Sequence, residues 1–373
     1  MDVGAAYRVP ATELNVLVAA LDDAGYAVWG PTIRNEAVVV DRLDDAGSLP
    51  HGRRTVQAGG RYRLDATGDA RVFACVHGAD SWKRLLHPPK VRLWRCTRDS
   101  DGALDFAGDE PPEARPMAFF GVRGCDLAAI RRLDDVFDRA AAPDPVYEAR
   151  RNGLFVVAVE CAEPGGTCFC ASMGTGPQVE RGFDWRLTEL DDADGHRFLV
   201  GAGSALGAEL LAPLALAPAT AADETARRRQ GEGAVMGRAL DTAGLGEALV
   251  ARRESGYFEQ VAERCLGCTN CTMVCPTCFC TTVEDTSDLA GTTAEQHRLW
   301  DSCFTLGFSY VNGGTVREGG PARYRQWLLH KLATWWDQFD ACGCVGCGRC
   351  ITWCPVGIDI TAEAAALRAE PVP

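Results

Sequence analysis

The residues of this chain most able to do chemistry are cysteines, and their spacing is regular. Cys265, Cys268, Cys271 and Cys275 precede Pro276 in the pattern C-x2-C-x2-C-x3-C-P. Cys344, Cys347, Cys350 and Cys354 precede Pro355 in the same pattern. Four thiolates are what a cubane [4Fe–4S] cluster requires. The two short loops wrap three of them around one cluster, and the fourth, three residues on, points to the other cluster. The spacing therefore assigns Cys265, Cys268, Cys271 and Cys354 to a first cluster. Cys344, Cys347, Cys350 and Cys275 fall to a second. Structural zinc pairs two C-x2-C knuckles across a longer gap, and a disulfide scaffold suits an oxidising compartment; neither explains two full copies ending in Cys-Pro. The chemistry implied is one-electron transfer.

The chain holds 18 cysteines, so these eight leave ten. The string TCFC occurs at 167–170 and again at 277–280. Near the first copy, Cys125 follows an apolar run at 116–122 and Cys161 follows another at 154–160. A Gly- and Pro-containing loop can bring Cys168 and Cys170 back over the same edge. Cys125, Cys161, Cys168 and Cys170 are thus candidates for a third [4Fe–4S] cluster. The second copy offers Cys278 and Cys280, with Cys303 and the remoter Cys342, and Asp301 or His297 as substitutes. These read as auxiliary thiols beside the ferredoxin clusters rather than another centre. Cys75 and Cys96 read as structural.

The elements that must position these thiols are legible in part. Leu14, Leu17, Val18 and Leu21 repeat at helical spacing, with Gly25 as a stop. YAVW (26–29) and EAVVV (36–40) read as strands, and the stretch 43–112 mixes strands and loops without a readable order. PMAFFGV (116–122), DLAAIRRLDDVF (126–137) and LFVVAVE (154–160) read as strand, helix and strand, with Asp126 as helix cap. A unit of this kind makes the two strands parallel neighbours and puts Cys125 and Cys161 at the edge where open α/β sheets bind ligands. WRLTEL (185–190) and HRFLV (196–200) read as an added hairpin, and 205–264 as helical. The insertion between the two cysteine motifs carries YRQWLLHKLATWW (324–336), whose Trp327, Leu328, Trp335 and Trp336 read as core. The expected class is α+β. An α/β domain with a partly parallel sheet (1–204) leads through a helical connector (205–255) to a mostly helical ferredoxin-like domain (256–362) and a tail (363–373).

At 373 residues and 47% apolar, the chain can bury sizeable cores. A net charge of −13 repels nucleic-acid phosphates and anionic lipid, so neither is an expected partner. The basic run ARRRQ (226–230) reads as a solvated helix face. No basic, then apolar, leader opens the chain, and the most apolar stretch, 198–222, carries Glu209, Pro213 and Pro218. The expectation is a cytoplasmic protein. GAGSALG (201–207) imitates a dinucleotide fingerprint at the wrong spacing, after a strand that reads as a hairpin partner; a Gly-rich turn explains it as well.

The ordered set GVRGCDLAAIRRLDDVF (121–137), CFCASMGTGP (168–177), CLGCTNCTMVCPTCFC (265–280), WDSC (300–303) and CVGCGRCITWCPVGIDI (344–360) resembles one family. It is similar to the β subunits of soluble sulfhydrogenases, the NADP-linked bidirectional [NiFe] hydrogenases, and to the A subunit of anaerobic sulfite reductase. The resemblance runs from about 116 to 362; residues 1–115 carry little of it. It implies an electron conduit with no catalytic site of its own. Partners would be a flavin subunit that exchanges hydride with NAD(P)H and the small and large hydrogenase subunits, or a sirohaem subunit in the sulfite reductase case. A different class of reading makes the chain itself a sulfur or disulfide reductase at Cys125, Cys161, Cys168 and Cys170. A zinc-stabilised scaffold is the remaining alternative.

Overall fold

A computed structural model describes residues 3–108, 115–139 and 142–372. Its largest sheet has eight strands. They run in the order Ala217–Pro218, Ala6–Pro10, Gly195–Ala202, Trp185–Asp192, Phe155–Val159, Met117–Arg123, Ala27–Arg34 and Ala37–Arg42. The four strands from Trp185–Asp192 to Ala27–Arg34 pair in parallel, and the flanking pairs are antiparallel. This is the mixed α+β class that the sequence suggests.

Alternation along the strands sets the two faces. Ala118 and Phe120 join Leu17, Val18, Leu21, Val157 and Val159 in a core on one side. Phe119 and Val122 join Leu127, Ile130, Leu133 and Ala158 on the other. Helix Gly124–Phe137 lies on that second face, so its apolar stripe fills the space between helix and sheet. Asp126 is not its cap. It sits inside the first turn, buried, and its carboxylate receives Arg349 at 2.7 and 3.0 Å. The pull of that guanidinium outweighs capping, because a buried charge needs a partner.

The order that the sequence leaves open in 43–112 comes from the cysteine-rich part. Strands Thr281–Ser287 and Thr293–Trp300, both inside the insertion, form a four-stranded sheet with Lys90–Arg98 and Leu104–Gly108. Pairing across about two hundred residues leaves no local trace in sequence. A third core holds the motifs, built from Phe258, Val261, Trp327, Leu328, Leu332 and Ile351 among others. Trp335 is fully buried, but Trp336 is 52% exposed and does not pack as expected. The expected tail at 363–373 also needs correction. Helix Ile360–Ala369 crosses that boundary and buries Ala364 and Leu367. Strand Gly195–Ala202 pairs antiparallel on both sides and leads to a helix of 7 residues, so GAGSALG lacks the parallel crossover of a nucleotide site. Among the described residues, no helix is long and apolar enough to cross a membrane.

Candidate iron–sulfur centres

Each cysteine motif folds the same way. A loop with left-handed residues leads to a single helical turn, Asn270–Met273 in the first copy and Arg349–Thr352 in the second. The turn carries the third cysteine inward, and the Pro after the fourth ends the run. Two cavities result. One is lined by Cys265, Cys268, Cys271 and Cys354. The other is lined by Cys275, Cys344, Cys347 and Cys350. The fourth cysteine of each motif lies in the other's cavity. Cys271 and Cys350 line both, so they form a common wall.

The donor set is what a four-iron cluster takes: four soft thiols lining each space. Among the described residues, no three His, Cys, Asp or Glu side chains come together as a single metal ion would require. The cavity walls also carry groups that want an anion. Tyr324 Oη and Trp327 Nε1, on the wall of the first cavity, are buried with no partner among the described residues. An anionic sulfur cluster would supply the acceptor that these donors lack. When bound, such a cluster supplies one-electron chemistry. This chain's own residues hold it, order its surroundings and exclude water.

Lys331 is the sharpest of these groups. It is 4% exposed and donates from Nζ to Cys275 Sγ at 3.1 Å and to Thr277 Oγ1 at 2.8 Å. Burial opposes its charge, yet the Cys275 and Cys278 sulfurs hold the ammonium well above its ordinary range. Cys275 lies well below the ordinary thiol range, because Cys278 donates to it and Lys331 stands beside it. In the first set, burial pushes Cys265 and Cys271 up, and among the described residues no side-chain cation bonds a sulfur.

The upstream thiols also meet. Cys125 and Cys161 follow the adjacent parallel strands Met117–Arg123 and Phe155–Val159. The loop 161–170 folds back, and Cys168 donates to the Cys347 carbonyl at 3.6 Å. Burial, then Cys161 and Cys347, push Cys168 up to about 12. Burial, then Cys161 and Cys168, push Cys170 up as well. Cys125 is raised by burial, then by Asp126, Cys170 and Cys347. Arg123, also buried, donates to Cys161 Sγ at 3.2 Å and otherwise to backbone carbonyls. The four thiols therefore share one buried locus against the second motif.

The downstream TCFC behaves differently. The Cys278 thiol donates a hydrogen bond to Cys275, and Cys280 accepts from the Cys303 backbone. Neither they nor Cys303 lines either cavity. Cys342 donates to the Lys331 carbonyl at 3.2 Å. Asp301 is taken by Ser302 and Thr305, and His297 lies on a strand near Glu295. Cys75 and Cys96 are buried, and the Cys75 carbonyl accepts from Arg123 at 2.7 Å.

Sequence reasoning missed Lys331, Arg123 and the Asp126–Arg349 pair. One signal was available. Lys331 stands four residues after Trp327 and four before Trp335, a lysine on the apolar stripe of its helix.

Comparison with known proteins agrees with this geometry. The 4Fe-4S dicluster domain model matches residues 264–358. The chain is 36% identical over 286 residues to sulfhydrogenase 2 subunit beta of Pyrococcus furiosus, a match covering 74% of this chain and 82% of that protein. No solved structure matches. With its paired cysteine motifs in one dicluster unit and this similarity over most of its length, the chain belongs to the sulfhydrogenase β-subunit family of iron–sulfur proteins.

Proposed function

We propose that this chain relays electrons inside a cytoplasmic [NiFe] hydrogenase complex. It receives them from, or passes them to, a flavin subunit that exchanges hydride with NAD(P)H, and it connects to the hydrogenase small and large subunits. The observation that carries this reading is the pair of thiol-lined cavities with a common wall at Cys271 and Cys350. Two one-electron carriers held that close exchange electrons readily. The proposed ligands are Cys265, Cys268, Cys271 and Cys354 for the first cluster, and Cys344, Cys347, Cys350 and Cys275 for the second. Cys125, Cys161, Cys168 and Cys170 are proposed to hold a third. We assign the relay to the unit 256–362, and the third site to the α/β unit 1–204 that the connector 205–255 joins to it.

A catalytic role for the upstream thiols is disfavoured. They are buried, or nearly so, and Cys168 at about 12 is a neutral thiol at physiological pH rather than a nucleophile. An anaerobic iron and sulfide count with electron paramagnetic resonance tests the reading. About eight irons per chain supports two clusters and about twelve supports three. Zinc in place of iron overturns it. Co-purification then decides the partner: nickel supports the hydrogenase complex, whereas sirohaem redirects the reading to an anaerobic sulfite reductase.

A further inference from the structure

We propose that Lys331 sets the reduction potential of the second cluster and makes that cluster the electron acceptor of the pair. The inference rests on the cluster reading above and deepens it.

Lys331 occupies a π-helical turn, His330–Thr334, between helices Gly320–Leu329 and Trp335–Phe339. Such a turn is an insertion into helical geometry and is retained mostly where it serves a site. Here it lets one residue hold both motifs. The Lys331 carbonyl accepts from Cys344 N–H at 3.1 Å, at the first cysteine of the second motif. Its ammonium reaches Cys275, the last cysteine of the first motif, at 3.1 Å. Both cysteines line the second cavity, and so does Lys331.

The charge of this lysine has no other account. It is buried, and among the described residues no carboxylate pairs with it. Burying an unpaired ammonium is costly, so a compensating negative charge belongs beside it. Four thiolates around a [4Fe–4S] core make a dianion, which reduction by one electron turns into a trianion. A fixed cation in contact with a ligand sulfur favours the more negative form. It therefore raises the potential, against the burial that would lower it.

The first site shows the contrast. Cys354 there accepts from the Ile358 backbone N–H at 3.3 Å, where its counterpart Cys275 receives an ammonium. The side-chain donors on the wall of the first cavity, Tyr324 and Trp327, are neutral, and Trp327 is common to both cavities. A dipole responds to the added electron more weakly than a full charge at the same distance. The first cavity carries the exposed Cys268 and Leu266, whereas no residue lining the second is exposed. The order that follows is entry at the exposed first cluster and settling on the second.

The test is a dithionite titration of the anaerobically purified, iron-loaded protein, followed by paramagnetic resonance. In Lys331→Met, one of the two ferredoxin-type signals should shift to lower potential, and the other should stay in place. Lys331→Arg should restore most of the shift. Thr277→Val removes the hydroxyl that anchors Nζ and should give a smaller shift of the same sign. Iron content is measured on every sample. If Lys331→Met loses iron, Thr277→Val decides alone: a lowered signal supports the proposal, and unchanged potentials overturn it. Unchanged potentials in an iron-replete Lys331→Met also overturn it. Wild-type protein without iron at the second site would overturn the cluster reading itself, a separate and recognisable failure.

Discussion

The two cysteine motifs have the same spacing and the same local fold, yet they sit in opposite environments. Residue by residue, Leu266 of the first copy is 67% exposed, while Val345 of the second is buried. Asn270 is exposed, while Arg349 is buried and clamped to Asp126. Thr269 and Gly348 share a left-handed backbone, at φ 68° and 73°. The first has room for a side chain, but a Cβ on Gly348 would lie 2.4 Å from the Thr167 carbonyl oxygen. What differs is a neighbour. The upstream TCFC loop docks on the second copy, with Phe169 N–H donating to the Gly346 carbonyl at 2.8 Å. Thr175 Oγ1 donates to the Val345 carbonyl at 2.7 Å. One copy faces outward and the other faces the α/β unit, so the same motif yields an exposed site and an enclosed one.

Exchanging the fourth ligands gives the largest expected effect. Cys354→Ser should remove the first cluster and Cys275→Ser the second, each costing about four irons. An iron count with the resonance spectrum identifies which signal goes. If either variant removes the signal of its own motif instead, the crossed assignment fails. Cys168→Ser with Cys170→Ser should remove about four more irons if the third site is occupied, and leave both ferredoxin signals.

The charged pair separates the copies next. Arg349→Leu leaves Asp126 buried without its partner, and should destabilise the loaded protein by about 3–5 kcal/mol in chemical denaturation. Asn270→Ala, at the matching position, loses one hydrogen bond to the Trp353 carbonyl on an exposed surface, about 1 kcal/mol or less. Comparable costs would mean that the second copy is not anchored as described. The glycine position follows. Gly348→Ala forces the Thr167 loop aside and should cost about 1–3 kcal/mol, read as a lowered unfolding midpoint. Thr269→Gly relieves a β-branched residue in the left-handed region and should change stability by about 1 kcal/mol or less.

Exposure gives a kinetic version of the comparison. Cys268 is exposed, and no thiol lining the second cavity is. On brief exposure to air, the first cluster's signal should bleach before the second's. Simultaneous loss would show that enclosure does not protect the second site.

Much of the site was legible, because ligand spacing is local. A thiolate every third residue needs only a short loop to wrap one cluster, and the crossed fourth ligand follows from the direction of the last turn. The strand–helix–strand unit was readable for a similar reason: apolar runs and a helical stripe lie within some forty residues. What stayed hidden came from partners far apart in the chain. The hairpin 281–300 completes a sheet with strand Lys90–Arg98, and nothing in either segment names the other. Asp126 looked like a cap because Arg349 is distant in sequence, and 363–373 read as a tail because the core that its Leu367 faces is assembled from elsewhere.

The repeated TCFC shows the division most plainly. Both copies are readable as two thiols in a short turn, and eight other cysteines as two cluster motifs. The fold brings the upstream copy beside Cys125 and Cys161, against the second motif. It also decided that the downstream copy lies outside both cavities, and that a buried lysine stands on Cys275. The physical reason is range. A ligand pattern is set by bond lengths within a few residues, whereas burial, charge compensation and close approach depend on whichever distant segment the fold brings in.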